Sequence, residues 1–479
     1  MITLINTNRM SPPIAPIGLE YVASAVQKAG IPVDILDLCW AEPPLGVLQE
    51  YLSQHQPQLI GLSFRNVDDC FWPSAQWFVP ELTGWIQTLQ SLCSAPVVLG
   101  GIGYSIFPQA VLKATGADYG IHGDGETSLV SLYRALQNHT AVDQIPGLVW
   151  RSGNQLHRNP PAWPEIIDIQ PRRDLVDNPR YFALGGQIGL ETKRGCPRQC
   201  LYCADPLAKG KSVRLRDPCD IADEAEALLA QGIDVLHLCD AEFNLPKDHA
   251  LAVCQTFRHR RLGNRLRWYA YLSVVPFDTE LADAMRKAGC VGIDFTTDSA
   301  HNSMLKIYGQ PYDRTHIAHA IKVCRNHGIT VMTDMLLGGP GETPDTIAET
   351  INFMKQVNPD GVGAGLGMRI YPGTGMESYV RTQEGWNNNC HIKRKYSGPI
   401  DLCQPTFYIP QSLGNHPARL VNELIGDDPR FFGPSESLEA GHGESQDHNY
   451  NDNTELCDAI RQGARGAYWH LMLKQRGLG

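Results

Sequence analysis

The feature that most constrains this sequence is a strand–helix alternation that occurs twice along the chain. In the first series, residues 1–140, five short apolar runs alternate with amphipathic stretches. Parallel strands need crossovers of a dozen or more residues, usually helices, so this series predicts an α/β domain with a doubly wound parallel sheet. Ligands of such sheets bind at the loops that leave the carboxyl ends of the strands. Here these loops span residues 8–16, 63–69, 100–105 and 123–127.

The second series occupies about residues 186–385. It contains six strand patterns, at residues 187–192, 235–238, 268–272, 292–296, 330–336 and 361–370. Six βα repeats are too few for a closed eightfold barrel, so we expect an open, partial (β/α)6 barrel. Prolines accumulate and periodicity fades between the two series, which predicts a linker at residues 141–185. Residues 386–479 form a small carboxyl-terminal extension, polar from Glu436 to Asn453 and ending in a helix near residues 454–474.

Charge and hydropathy narrow the expected partners. The 479-residue chain has a net charge of −10, which gives no general attraction to nucleic acid or anionic membrane. No stretch approaches the ~20 apolar residues that cross a bilayer. Eleven of the 14 cysteines are scattered singly, as buried thiols of a cytosolic protein are. We therefore expect a cytoplasmic protein with a small-molecule or peptide substrate.

The other three cysteines lie together in GLETKRGCPRQCLYCADP, directly after the first strand of the second series. Cys196, Cys200 and Cys203 have Cys-x3-Cys-x2-Cys spacing. Thiolates are the usual ligands of iron–sulfur clusters, and three of them leave one iron of a four-iron cluster open. The loop also lies at the carboxyl end of a barrel strand, where barrel enzymes place their chemistry. The alternatives are a three-cysteine zinc site completed elsewhere, or loose buried thiols.

This motif resembles the signature of the radical S-adenosylmethionine (SAM) superfamily, including the aromatic Tyr202 before the third cysteine. The resemblance implies a 4Fe-4S cluster whose open iron is chelated by SAM. It also implies an electron donor such as a flavodoxin or ferredoxin, and reductive cleavage of SAM to a 5′-deoxyadenosyl radical.

Further positions match SAM-binding motifs of that superfamily. Glu242, in LCDAEFNLP, is expected to accept charge-assisted hydrogen bonds from the SAM ammonium group, with a barrel-mouth salt bridge as the alternative. Glycines of LLGGPGET would let the backbone approach adenine, or simply make a tight turn. Arg214 and Arg216 could neutralise a carboxylate, or be solvated. The remaining candidates for SAM are Asp240, Asp298, Ser299, Gly338, Gly339 and Gly341.

A doubly wound domain ahead of such a barrel resembles the cobalamin-binding branch of the superfamily, with a layout similar to the tryptophan 2-C-methyltransferase branch. The segments that carry this resemblance are PPIAPIGLEYVASAVQKAGIPVDILDL, VVLGGIGYSIFP, ADYGIHGDGE, HNYNDN and GARGAYW. A flavodoxin-like sheet that binds nothing, or a nucleotide, is the alternative. The residues that the resemblance places at cobalamin are Asn8, Ser63, Arg65, Asn66, Gly101, Ile102, Gly103, Ser105, Gly123, Gly125, Glu126 and Thr127.

One departure from the cobalamin pattern is informative. The Asp-x-His-x-x-Gly motif, whose histidine ligates cobalt in other cobalamin proteins, is absent; His55 and His122 lack that context. Instead, SFRNVDD places Arg65 where the lower face of the cofactor should lie. A protonated arginine has no lone pair to give cobalt, so it would disfavour a sixth ligand and ease release of a methyl group. The alternative is that Arg65 pairs with Asp68 or Asp69.

These features favour a cobalamin-dependent methyltransferase that moves a methyl group from SAM to carbon, or less often phosphorus, by either a polar or a radical route. The alternatives are a cobalamin-binding radical SAM enzyme that catalyses cyclisation or rearrangement, and a cluster-bearing sensor. Arg65 and Tyr371 are the candidate catalytic residues. Substrate-facing candidates are Tyr269, Tyr271, Arg369, Tyr371, Tyr408 and Tyr450.

Overall fold

The structure, a computed structural model, describes residues 1–153, 155–382, 386, 389–436 and 450–478. Its first unit is a seven-stranded sheet with a helical layer and a separate apolar core on each face. The strands are β1 (Ile2–Asn6), β2 (Val33–Asp37), β3 (Leu59–Ser63), β4 (Val97–Gly100), β5 (Tyr119–Ile121), β6 (Leu148–Ser152) and β7 (Gln155–Arg158). The helices are α1 (Ile17–Lys28), α2 (Pro44–Gln54), α3 (Val79–Leu92), α4 (Ile102–Ile106), α5 (Pro108–Thr115) and α6 (Glu126–Gln137), with a 3-10 turn at Leu38–Trp40.

The strand order is β2-β1-β3-β4-β5-β6-β7, and β1 to β5 are parallel, which confirms the doubly wound sheet. From β1 the chain adds β2 on one side and β3 to β5 on the other, so the strand order reverses between β1 and β3. Ligands of such sheets bind in the crevice at this point, at the carboxyl ends of the two strands. The boundary of the linker was wrong, because β6 and β7 form an antiparallel hairpin that pairs with β5. This hairpin gave little sequence signal because β7, with the sequence QLHR, is a largely exposed edge strand.

The second unit contains a seven-stranded sheet of β8 (Ile188–Leu190), β11 (Val235–Leu238), β12 (Arg267–Leu272), β13 (Cys290–Asp298), β14 (Thr330–Leu337), β15 (Gly361–Leu366) and β19 (Phe431–Phe432). Short strands outside it are β9 (Lys193–Arg194), β10 (Arg214–Leu215), β16 (Met368–Arg369), β17 (Ile392–Lys393) and β18 (Phe407–Tyr408). Its helices are α7 (Asn178–Gly185), α8 (Asp205–Lys209), α9 (Pro218–Ala230), α10 (Lys247–His259), α11 (Thr279–Lys287), α12 (Asn302–Tyr308), α13 (Arg314–Asn326), α14 (Pro344–Val357), α15 (Gly375–Thr382), α16 (Pro417–Ile425), α17 (Thr454–Arg461) and α18 (Tyr468–Gln475), with 3-10 turns at Leu262–Asn264 and Gln411–Leu413.

The order of this sheet is β19-β15-β14-β13-β12-β11-β8, and every pair is parallel. The six predicted strands are thus confirmed, and the short β19 adds a seventh. The two edge strands, β8 and β19, are not paired with each other. The barrel is therefore partial and open.

The carboxyl-terminal segment closes one end of the barrel. Trp469 and Leu473 of α18 pack with Tyr269 and Met332, whose side chains fill the barrel interior at the amino-terminal ends of the strands. The single final helix that we expected is two helices, because the GARG turn separates α17 from α18 and two of its glycines have positive φ. Most of the polar stretch that precedes it, residues 437–449, lies outside the described residues.

In the described part of the chain, no helix combines the length and the apolar character needed to span a bilayer.

Candidate active site

The three clustered cysteines lie on one loop at the mouth of the barrel, between β9 and α8. Gly195 precedes the first of them with a φ of +85°, and a side chain there would collide with the carbonyl of Ser212. The loop is held from behind by α12, because the Leu201 N–H donates to the Tyr308 carbonyl at 3.0 Å. Gln310 approaches the Cys200 sulfur to 3.5 Å. The cysteines are thus presented on a fixed, partly buried loop.

The thiols influence one another electrostatically. Burial is the main cause that raises the pKa of all three thiols, that of Cys200 to about 12. Nearby carboxylates, Asp298 for Cys200 and Asp205 for Cys203, and the neighbouring thiols raise the pKa of these two further. Such thiols become thiolates only when a strong cation binds them. Across the described ranges, no three His, Cys, Asp or Glu side chains converge on a position for a single metal ion. A cubane places each thiolate on a different iron, so its cysteines need not converge.

Glu242 follows β11 at the same mouth. Its Oε1 accepts a hydrogen bond from the Thr296 hydroxyl at 3.2 Å, whereas its Oε2 is buried and has no hydrogen-bond partner among the described residues. Burial raises the pKa of this carboxyl to about 8. No described cation forms a salt bridge with it, so the salt-bridge alternative is wrong. Its free oxygen can accept from an incoming ammonium group.

Asp298 lies between the cysteine loop and the barrel wall. Its carboxylate accepts hydrogen bonds from the Tyr202 hydroxyl, at 2.7 and 2.8 Å, and from the Gln310 amide at 2.5 Å. Burial raises its pKa to about 7. Because its oxygens are already engaged, Asp298 fixes the aromatic residue of the cysteine motif.

Arg65 extends from the β3 exit of the first sheet toward the barrel. It is exposed to an internal space, and its electrostatic neighbours are Tyr468, Cys239 and Tyr271 of the second unit. Burial in this space lowers the pKa of the guanidinium. The strand exits of the two units therefore face a common space, and Arg65 lies inside it.

The acids near Arg65 are paired elsewhere. Asp68 binds Arg369 at 2.8 Å, and Asp69 accepts from the Ser74 hydroxyl and the Gln76 N–H. The alternative in which Arg65 pairs with one of these two aspartates is therefore wrong. Its guanidinium instead contacts the Met10 sulfur at 3.7 Å, next to a contact of 3.6 Å from the Asn66 amide.

A cavity of about 170 Å³ opens at this point, at the carboxyl ends of β1 and β3. It lies where the strand order reverses, which is the general ligand crevice of doubly wound sheets. Its lining includes Asn8, Arg65 and Asn66, together with Trp85 of α3 and Asn451 of the carboxyl-terminal segment.

Comparisons with known proteins agree with both halves of this architecture. The B12 binding domain model matches residues 5–133, and the Radical SAM superfamily model matches residues 190–354. The chain belongs to the cobalamin-binding branch of the radical SAM superfamily. The tryptophan 2-C-methyltransferase of Streptomyces laurentii is 29% identical to it, over 98% of this chain and 95% of that protein.

Two solved structures resemble this radical SAM enzyme over nearly its full length. Both are of the methyltransferase TsrM from Kitasatospora setae. One, with tryptophan substrate and a SAM analogue bound, has a TM-score of 0.92 and 29% identity, and the match covers 99% of this chain and 97% of that one. The other, with cobalamin and a [4Fe-4S] cluster bound, has a TM-score of 0.88 and 28% identity, covering 99% and 98%.

The cofactors of this radical SAM enzyme are a 4Fe-4S cluster, SAM and cobalamin, and the residues present fit them. The three partly buried thiols on one loop suit the cluster, and the unpartnered Oε2 of Glu242 suits the ammonium group of SAM. The crevice at β1 and β3, lined by Asn8, Arg65 and Asn66, is where cobalamin would be held. His122 cannot serve as a cobalt ligand there, because its two ring nitrogens already contact the Leu207 carbonyl and Arg158.

Two expected cofactor residues instead join the units to each other. Arg214 is buried against Asp124, and Arg194 pairs with Glu126 at 2.6 Å. Arg216, also buried, binds Glu224 at 2.7 Å. The assignments of Arg214 and Glu126 to cofactors are therefore corrected, and neither arginine is solvated as the alternative held.

Two further SAM candidates in the barrel have structural partners. Asp240 accepts from the Thr192 N–H at 2.8 Å and from its hydroxyl, so it ties β11 to the chain after β8. Ser299 shares a hydrogen bond with Thr350 at 3.1 Å and is fully buried. Both side chains thus stabilise the fold, and contact of either one with SAM stays a prediction.

The glycine turn after β14 has a structural role that the sequence allowed as an alternative. The N–H groups of Gly338 and Gly339 donate to Glu342 Oε2 at 2.7 and 3.2 Å. Gly339 packs on the Tyr308 ring, where a side chain would collide. Contact of this turn with adenine stays a prediction.

The glycines of the first unit mainly permit close packing of its loops. Gly101, with a φ of +99°, and Gly103 lie directly against the backbone of residues 64–66. The Ser105 hydroxyl accepts from the Gly123 N–H at 3.0 Å. These contacts hold the β3, β4 and β5 exits together. Direct cofactor contacts by these residues, and by Ser63, Ile102, Gly125 and Thr127, stay predictions.

The substrate-facing candidates divide into two groups. Tyr271 is 37% exposed although it lies inside the barrel, so it borders open space. Tyr371 contacts the Cys70 sulfur at 3.0 Å beside the same space, and its catalytic role stays a prediction. Tyr450 neighbours Tyr271. The remaining three have packing or ion-pair roles: Tyr269 binds His470, Arg369 binds Asp68, and Tyr408 is buried in an apolar cluster.

Several residues in this region were missed from sequence. They are Met10, Cys70, Thr296, Gln310, Asp294 and Asp334. The inward-facing acids of β13 and β14 carried a usable signal, since a charged residue within an apolar strand pattern is costly unless it has a role.

Proposed function

We propose that this enzyme transfers a methyl group from SAM, through cobalamin, to C2 of the indole ring of tryptophan. The observation that carries the proposal is the common space between the two units, in which Arg65 of the cobalamin domain lies among Cys239 and Tyr271 of the barrel. The match to tryptophan 2-C-methyltransferase over 98% of the chain supports this choice of reaction.

The residues of the chain would bind and orient the two cofactors. When bound, SAM provides the methyl group and cobalamin is its carrier. Glu242 would hold the SAM ammonium group with its unpartnered oxygen, and so orient SAM beside the cysteine loop. Arg65 would lie at the lower face of cobalamin, where it offers hydrogen-bond donors and no lone pair. The Met10 sulfur contacts the Arg65 guanidinium and the Asn66 amide, so both of its polar neighbours are hydrogen-bond donors of the protein.

An indole substrate needs no radical to become reactive. Its ring is electron-rich, so C2 can form a bond to a methyl group that arrives without its bonding electrons. Overall, the methyl group of SAM replaces the hydrogen at C2, and that hydrogen leaves as a proton to solvent. We therefore propose the polar route, in which each methylation consumes one SAM and releases S-adenosylhomocysteine.

Product analysis tests this function. The enzyme, reconstituted anaerobically with iron, sulfide and cobalamin, is incubated with tryptophan and SAM carrying a deuterated methyl group. We expect labelled 2-methyltryptophan and S-adenosylhomocysteine in equal amounts, without matching 5′-deoxyadenosine. Equal amounts of 5′-deoxyadenosine and product would support the radical route instead. Absence of methylated tryptophan would refute the proposal.

A further inference from the structure

A pair of carboxyl groups lies inside the barrel and has no part in the roles above. Asp294 is on β13 and Asp334 on the neighbouring β14. Ile293 and Phe295 pack into the apolar core between strands and helices, so Asp294, between them, points into the barrel interior. On β15, Gly363 leaves the room that Asp334 needs, since a side chain there would collide with its carboxylate. The two acids therefore share one interior position.

Asp294 has no compensating partner. It is 2% exposed, and neither of its carboxylate oxygens has a hydrogen-bond partner in the described ranges apart from the adjacent acid. Burial and the neighbouring carboxyls of Asp334 and Glu242 all raise its pKa. A buried carboxyl without a cation or donor is costly, and such groups are normally paired. The position thus has the character of a site for a cationic ligand.

Aromatic side chains surround this position. Tyr271 is 37% exposed there, and the electrostatic neighbours of Tyr450 are Tyr271, Asp334 and Asp294. The His237 and Tyr271 ring centroids are 4.8 Å apart, and burial lowers the pKa of His237 to about 4, so His237 supplies no positive charge to Asp294. An acidic floor with aromatic walls fits a cationic amine that carries an aromatic ring.

We propose that Asp294 and Asp334 bind the α-ammonium group of the amino-acid substrate and make the enzyme select against deaminated analogues. This inference rests on the proposed function and adds a specificity site to it. Glu242, the residue assigned to SAM, accepts instead from Thr296, which is two residues nearer than Asp294 to the carboxyl end of β13.

The test compares three indole substrates with the reconstituted enzyme. Tryptophan has an ammonium group and a carboxylate, tryptamine keeps only the ammonium group, and indole-3-propionate keeps only the carboxylate. We expect wild-type kcat/KM to be higher for tryptophan and tryptamine than for indole-3-propionate. In Asp294→Asn and in Asp334→Asn, the preference for tryptophan over indole-3-propionate should fall by about tenfold or more, mainly through a higher KM for tryptophan.

Asp283→Asn is the matched control, because it removes a surface carboxylate from α11 and should leave the preference unchanged. Iron and cobalt contents verify that each variant is folded and loaded. The inference is overturned if loaded variants keep the wild-type preference, or if wild-type enzyme itself accepts indole-3-propionate as readily as tryptophan. The comparison of indole-3-propionate with tryptophan uses wild-type enzyme only, so it can overturn the inference even if both variants fail to fold. Wild-type enzyme that methylates none of the three compounds refutes the proposed function, and the inference with it.

Discussion

At the scale of single residues, Glu242 is the side chain whose environment most directly implies a ligand. It is a buried carboxyl with one oxygen bound to Thr296 and the other unpartnered in the described part of the chain. Nothing in the fold depends on that second oxygen. Its geometry is therefore best explained by a cation that arrives from outside.

The corresponding prediction is that Glu242→Gln weakens SAM binding by about 10- to 100-fold, because a charge-assisted hydrogen bond contributes roughly 1.5–3 kcal/mol. Calorimetric titration of SAM into the cluster-loaded protein measures the change. Glu280→Gln, on the exposed side of α11, is the control and should bind SAM as the wild type does. Wild-type affinity in Glu242→Gln would contradict the assignment.

At the scale of elements, the turn between β14 and α14 is organised by one buried acid. Glu342 is 1% exposed, and its Oε2 accepts from the Gly338 N–H and from the Tyr308 hydroxyl, at 2.7 and 3.0 Å. Burial outweighs these hydrogen bonds and raises its pKa to about 7, from an ordinary value of 4.5. The folded protein thus binds this proton more tightly than the unfolded chain does.

A raised pKa makes a stabilising contribution that is complete below pH 4.5 and is lost as pH rises through about 7. We therefore expect the stability of wild type, relative to Glu342→Gln, to fall between pH 5 and pH 8, an interval chosen to bracket the change in charge. Thermal unfolding of both proteins at each pH measures this difference. The contributions of the other buried acids to the pH dependence cancel, because both proteins contain those acids. Parallel pH dependences would show that Glu342 does not titrate in this range.

The elements also show what sequence could and could not predict. The parallel strands were predictable because apolar runs such as β11 and β14 carry their own local signal. The β6–β7 hairpin was not, because the exposed β7 lacks apolar alternation. The partner of Arg214 could not be predicted either, because Asp124 lies 90 residues away in the sequence and contacts it only when the two units pack together. Predicted site residues failed where they proved to be such long-range structural partners.

At the scale of the whole molecule, the two units are joined by buried charges. Arg194 and Arg214, on the paired strands β9 and β10, bind Asp124 and Glu126 at the exit of β5. Arg173, from the segment between the units, pairs with Glu20 of the first unit at 2.9 Å and with Glu224 of the second at 2.6 Å. These contacts fix the cobalamin domain against the barrel mouth, where a shared active site requires it.

Removing one partner of such a pair leaves a buried charge uncompensated. We expect Asp124→Ala to destabilise the protein by about 3 kcal/mol or more, measured by thermal unfolding. Asp283→Ala, which breaks the exposed pair with Lys287, should change stability by less than about 1 kcal/mol. Equal effects of the two substitutions would mean that the interface charges do not hold the units together.

One chain of this enzyme holds both an iron–sulfur cluster and cobalamin, at the space that its two units share. Metal analysis after anaerobic reconstitution with iron, sulfide and hydroxocobalamin tests it most directly. We predict about four irons and about one cobalt per chain, with iron lost in Cys200→Ala and retained in the surface variant Cys219→Ala. Iron without cobalt, or iron that persists in Cys200→Ala, would contradict the account.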